Sequence, residues 1–156
     1  NARGITFRET VWSPDSKKVI ISSWVGNLVE AFAYDLASKD STYIDTGRNF
    51  VWSPSDNDLV AYIKDYSIYT RNVATGEIDL IYKGKKKKSA GEFRWSPKGD
   101  FMMIHTRSYL LNIDAPPLRR SLIIYLSMAD KRESRVYYDD QRIDTWIEAP
   151  NETDTK

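Results

Sequence analysis

Short apolar runs alternate with polar turns along the whole chain, and the alternation repeats. Val19-Ile20-Ile21, Leu59-Val60-Ala61-Tyr62 and Phe101-Met102-Met103-Ile104 each follow a brief polar turn, at 15–18, 55–58 and 98–100. Each turn is opened by the same triplet: Trp12-Ser13-Pro14, Trp52-Ser53-Pro54 and Trp95-Ser96-Pro97, at spacings of 40 and then 43 residues. Proline presets φ for the turn and has no donor to offer a ladder, so the triplet ends one strand and starts the way to the next. No window holds a helical period, whereas a repeat of about 40–45 residues suits a four-stranded sheet unit.

The rest of each unit keeps the register. A third strand ends at Asp35-Leu36-Ala37, Asn72-Val73-Ala74 and Ser127-Met128-Ala129, and an aliphatic residue follows each alanine after a turn: Ile44, Ile81 and Val136. The pattern predicts strands a to d in every unit, with a ending at the tryptophan and d carrying Tyr43-Ile44, Leu80-Ile81-Tyr82 or Val136-Tyr137-Tyr138. The predicted fold is all-β: a single domain over 1–156 made of four-stranded antiparallel β-propeller blades, three complete and one extra strand. Blade 1 covers about 5–47, blade 2 about 48–84 and blade 3 about 89–140, with a terminal strand and tail at 141–156. Blade 3 carries an insertion between strands b and c, around Tyr109 to Arg120. The extra strand is marked by Thr145-Trp146 and a delayed Pro150.

Composition narrows the chemistry. Lys+Arg number 23 against 22 Asp+Glu, so no global charge draws the chain to nucleic acid or an anionic membrane. Cysteine is absent, which excludes disulfides, thiol nucleophiles and thiolate metal sites. His105 is the single histidine, so no multi-histidine metal centre can form. No apolar run reaches membrane-spanning length. The chain opens on Asn1, as expected of a processed or excised polypeptide.

Trp12 to Ser22 (WSPDSKKVIIS) resembles a blade of the TolB-like or WD-like propeller repeats, and is equally similar to blades of the N-terminal propeller of dipeptidyl-peptidase IV. The stretch Leu59 to Tyr69, continued through Ala74-Thr75-Gly76-Glu77-Ile78, matches the same pattern, and the likeness spans about 7–150. It implies a blade type, not a function. Propellers have about four to eight blades. Three would leave open sheet edges, to be met by two copies pairing into a six-blade ring, by a longer propeller, or by the Trp146 strand capping an open arc. The peptidase relatives carry a hydrolase domain, yet no Gly-x-Ser-x-Gly elbow occurs here.

Candidate sites are weighed against structural roles. Trp12, Trp52 and Trp95 recur in register and are expected to pack between blades. Trp24 lies off the repeat, beside the Val25-Gly26-Asn27 turn, and is a contact candidate. Lys85, Lys86, Lys87 and Lys88 form a basic run placed in the loop between blades 2 and 3. Pro116, Pro117, Arg119 and Arg120 belong to the insertion, which a blade does not require. Ser55, Asp56, Asn57 and Asp58 could be oxygen ligands of a cation, but their position demands turn residues. His105 has no nucleophile paired with it, and Tyr137 to Asp140 read as an outer strand and its turn. The expectation is a non-catalytic module binding protein or peptide partners, with no cofactor, metal or nucleic acid. Its alternatives are the propeller of an S9-type serine peptidase and a carbohydrate-binding propeller. The resemblance implies a periplasmic or secreted location.

Overall fold

The computed structural model describes residues 6–86, 88–109 and 119–139. Every regular element among them is a strand. They are β1 (Thr6–Trp12), β2 (Lys18–Val25), β3 (Leu28–Asp35), β4 (Ser41–Thr46), β5 (Arg48–Trp52), β6 (Leu59–Lys64), β7 (Ser67–Asn72), β8 (Ile78–Tyr82), β9 (Lys88–Trp95), β10 (Phe101–Tyr109), β11 (Arg119–Ser127) and β12 (Glu133–Asp139). They form three separate antiparallel sheets, each pairing its four strands in chain order. The fold is all-β and blade-built, as the repeat predicts. The Trp146 strand expected at the C-terminal end lies outside the described residues.

The triplet works through its serine. In blade 1 the Ser13 N–H donates to the Lys18 carbonyl at 2.9 Å, and Ser13 Oγ accepts from the Lys18 N–H at 2.9 Å. Blade 3 repeats this: the Ser96 N–H donates to the Phe101 carbonyl at 2.9 Å, and the Phe101 N–H donates to Ser96 Oγ at 3.1 Å. In blade 2 the Ser53 N–H reaches one residue further, to the Leu59 carbonyl at 2.8 Å. That longer turn shifts the register, so Trp52 faces Val60 whereas Trp12 faces Val19. All three serines are buried, and each closes its a–b turn from inside.

The second repeated signature is equally mechanical. Asp35 Oδ1 accepts from the N–H groups of Ala37 and Ser38, and Asn72 Oδ1 from those of Ala74 and Thr75. These are local turns stabilised by a short polar side chain. The aliphatic residue between ties the c–d turn to the a–b turn: the N–H groups of Leu36, Val73 and Met128 donate to the carbonyls of Lys17, Asp58 and Asp100. The backbone takes positive φ at Lys39, Gly76 and Lys131, the same place in each blade.

Blades pack face against face. One core joins blades 1 and 2 through Ile20, Ala31, Ala33 and Ile44 on one side and Phe50, Trp52 and Tyr62 on the other. A second joins blades 2 and 3 through Ala61, Ile63, Ile68 and Ile81 against Phe93, Trp95, Met102 and Ile104. In each, an aromatic-led face meets a smaller aliphatic face, which close packing favours. Trp52 Nε1 donates back to the Val11 carbonyl of blade 1 at 3.0 Å, while the buried Trp95 Nε1 has no hydrogen-bond partner among the described residues. Trp12 departs from expectation. It is 56% exposed, against 4% for Trp52, which packs against blade 1, and 8% for Trp95, which packs against blade 2; no described sheet lies against the Trp12 face. Phe32 and Tyr43 lie on the same face in T-shaped contact at 5.2 Å.

Candidate functional site

In a meander of four antiparallel strands, the a–b and c–d turns fall at one end, and the b–c hairpins and d–a connections at the other. The two ends of this chain differ in chemistry. The turn end carries Asp15, Asp35, Asp56 and Asp130, each accepting hydrogen bonds within its own turn. Asp56 thus serves the turn directly, taking the Asp58 N–H at 2.8 Å, and Asp58 pairs with Lys18 of blade 1 at 2.6 Å. Hydroxyl and backbone donors hold the Asp15 carboxyl below the usual carboxylate range, as backbone donors hold that of Asp35. Among the described residues no group of His, Asp or Glu side chains is placed to hold a metal ion.

The hairpin end is basic and aromatic. Trp24 is the penultimate residue of β2, beside a two-residue loop in which Gly26 takes φ 63, the residue a II′ turn asks for at that place. In blade 2 the matching hairpin is Asp65-Tyr66, with φ of 46 and 68. Positive φ at both positions is the I′ geometry, which favours glycine at the second; here a tyrosine occupies it. The Ala90 N–H donates to the Tyr66 carbonyl at 3.0 Å and holds the turn against β9. Gly84 lies beneath it so closely that a Cβ there would sit 1.8 Å from the Tyr66 oxygen.

Between these hairpins runs a groove of about 380 Å³, lined among others by Trp24, Asn27, Leu28, Arg48, Lys64 and Tyr66. Trp24 is 47% exposed, Leu28 58% and Tyr66 44%, and Val25 adjoins them, also exposed. The floor is rigid. Asp45 accepts from Tyr62 Oη at 2.8 Å and from Lys64 Nζ at 2.7 Å, crossing from blade 1 to blade 2. Burial alone would raise the Asp45 carboxyl, but those two donors and the Thr46 N–H outweigh it and hold the group below its ordinary value. Burial, reinforced by Asp45, pushes the Tyr62 phenol well up. Arg48, which also lines the groove, donates to the carbonyls of Ala90 and Gly91 at 3.0 and 3.1 Å.

The candidates named from sequence that fall among the described residues lie at this end. Trp24 lines the groove, and Lys85 and Lys86 are exposed on the connection that follows Gly84. Three placements are corrected. Lys88 is not in the loop: it opens β9 and pairs with Ser108. Arg119 and Arg120 are not insertion loop either: they open β11 opposite Tyr109 and Ser108, because the insertion's flanks continue the ladder. Lys87, Pro116 and Pro117 lie outside the described residues. His105 sits mid-strand in β10, opposite Glu92 and Ile123. Leu28, Arg48 and Tyr66 were not singled out from sequence. The available signal was Asp65-Tyr66, a hairpin loop with an aromatic where glycine belongs.

No family model matches the sequence, and no curated protein matches it in sequence. Solved β-propeller structures do match the fold. An acylaminoacyl peptidase from Pyrococcus horikoshii superimposes with a TM-score of 0.72 at 9% identity, over 88% of this chain and 25% of the peptidase. An oligogalacturonate lyase from Vibrio parahaemolyticus gives 0.63 at 13% identity, over 86% of this chain and 41% of the lyase. TolB from Acinetobacter baumannii gives 0.58 at 18% identity, over 89% of this chain and 34% of TolB. The chain therefore spans well under half the length of each, and at such identities the likeness establishes the fold alone: β-propeller blades.

Proposed function

We propose that this chain is a non-catalytic propeller module that binds a protein or peptide partner at its hairpin end. The observation supporting this reading is the groove between blades 1 and 2, where Trp24, Leu28 and Tyr66 are exposed together over a floor fixed by Asp45, Lys64 and Arg48. Aromatic side chains held by rigid hairpins suit recognition, since little side-chain entropy is lost on contact. Panning a random peptide library on the immobilised chain tests it. Enriched peptides should bind the wild type and lose binding to Trp24→Ala; peptides indifferent to that change, or no enrichment, would refute the reading.

Two further readings have their own support. The peptidase among the structural matches supports a gating propeller whose hydrolase domain lies elsewhere in a longer polypeptide. The lyase among them supports a carbohydrate ligand. A downstream nucleophile elbow in the full-length gene would favour the first, and glycan binding the second. The exposed Trp12 face supports pairing with a second copy into a six-blade ring, which light scattering reads as a doubled mass. Among the described residues no helix is long and apolar enough to cross a membrane, and a periplasmic or secreted location is part of the proposal.

A further inference from the structure

The two ends of the blades differ in how their cations are paired: at the turn end Lys17, Lys18 and Arg132 stand in ion pairs with Asp15, Asp58 and Asp130. Topology sends Arg48, Lys64, Lys83, Lys85 and Lys86 to the hairpin end. Of these, Lys64 is neutralised by Asp45 at 2.7 Å, whereas among the described residues Arg48 bonds to carbonyls. Lys83, Lys85 and Lys86 are exposed and follow β8 directly, where the Gly84 N–H donates to Ser67 Oγ at 3.1 Å. That bond, with the Ala90 bond to Tyr66, sets the lysine segment against the rim of the groove at Tyr66. Asp65 is the carboxylate among the groove-lining residues, and the carboxylates of the a–b and c–d turns stand at the far end.

The apolar content of the groove discriminates between anionic ligands. Sugar sites combine aromatic faces with many uncharged hydrogen-bonding groups. Here the exposed apolar surface is that of Trp24, Leu28 and Tyr66, and Asn27 and Thr46 are the amide and aliphatic-hydroxyl side chains in the lining. Aliphatic and aromatic surface beside a basic rim matches apolar side chains flanked by carboxylates, which charge complementarity would orient and hasten onto the surface. Tyr66 adds a second argument. An Asp-Gly pair is the favoured I′ loop, yet after Asp65 the chain keeps a tyrosine in a backbone region that resists it. Unfavourable backbone conformations of this kind cluster where they serve recognition.

We infer that the groove between the Trp24 and Tyr66 hairpins, with the Lys83–Lys86 rim, binds an acidic peptide segment that inserts an apolar anchor residue. The inference names the partner of the proposed binding end, and so rests on that reading. The probe is a fluorescein-labelled decapeptide of Glu-Asp-Leu repeats, followed by anisotropy on the intact chain. Two controls accompany it: the same peptide with Gln and Asn for Glu and Asp, and polygalacturonate of similar length. The acidic peptide should bind, weaken markedly from low salt to about 150 mM as the charges are screened, and exceed the neutral peptide by about tenfold or more. Lys83→Glu with Lys86→Glu should abolish that preference. Tyr66→Gly should weaken binding by about tenfold while the fold holds, since glycine relaxes the turn. Equal binding of acidic and neutral peptides, or binding indifferent to Tyr66→Gly and to the charge reversal, overturns the inference. Polygalacturonate binding without peptide binding overturns it in favour of a glycan. If no acidic probe binds while library-selected peptides of other composition bind through Trp24, the inference fails and the broader proposal stands; if those fail as well, both fall.

Discussion

Three identical Trp-Ser-Pro triplets in three different surroundings make a controlled experiment. Replace each tryptophan singly by phenylalanine. At Trp52 the change removes the donor to the Val11 carbonyl and shrinks a side chain that is 4% exposed. The lost volume of about 40 Å³, at about 24 cal/mol per Å³, amounts to roughly 1 kcal/mol. The lost hydrogen bond and stranded carbonyl add about 1–2 kcal/mol. At Trp95 the volume loss is the same, but its indole N–H is buried without an acceptor among the described residues, so phenylalanine removes an unsatisfied donor and the two effects nearly cancel. At Trp12, 56% exposed, the change should stay within about 0.5 kcal/mol. Urea unfolding at constant m gives the ranking 52 far above 95 and 12, with Trp52→Phe about 2–3 kcal/mol less stable. Its Tm should fall by about 5–10 °C. The reasoning fails if Trp95→Phe costs as much as Trp52→Phe. It fails also if Trp12→Phe does so in a sample that light scattering shows to be monomeric. A Trp12 cost that grows with protein concentration would instead identify a second copy on that face.

Asp45→Asn tests the bridge between blades 1 and 2. The carboxyl is held below its unfolded value, so its stabilisation is present above about pH 4 and is lost as pH falls through the lower folded value. The variant should be about 1–2 kcal/mol less stable at neutral pH, Lys64 being partly solvated, yet lose less on acidification in urea titrations at a series of pH values. Stability should also decline above about pH 10, where the unfolded Tyr62 phenol ionises and the buried one resists; Tyr62→Phe should flatten that limb. Gly84→Ala forces its methyl into the Tyr66 carbonyl and should cost more than about 2 kcal/mol, whereas Gly26→Ala meets open space and bears only the strain of positive φ, about 1 kcal/mol. Thermal melts of the two variants side by side check the contrast.

Blade architecture was legible because its local chemistry repeats: buried serines close the a–b turns, and Asp35 and Asn72 cap the c–d turns whose aliphatic neighbours bind back to the previous turn. Burial of a repeated residue was not legible, because it is a property of the neighbouring sheet. Trp12 and Trp52 share a triplet, and only one has a Val11 carbonyl to meet. Lys88, Arg119 and Arg120 read as loop by composition, yet pairing with β10 extends the ladder through them, since ladder bonds are made by the backbone whatever side chain it carries. The groove was half visible. Trp24 stood out by lying off the repeat, but its partners Tyr66 and Arg48 are distant in sequence, and only the alternation of strand direction brings them to one end. An even number of antiparallel strands per blade returns every d–a connection to the side of the b–c hairpins. Residues that the turn signatures leave unconstrained therefore collect on one face. That is why an aromatic pair and a lysine segment from different blades share an end, while the carboxylates consumed by turn geometry stand opposite. A binding surface on such a chain is found by asking which loops the repeat does not need, and then which strand parity they share.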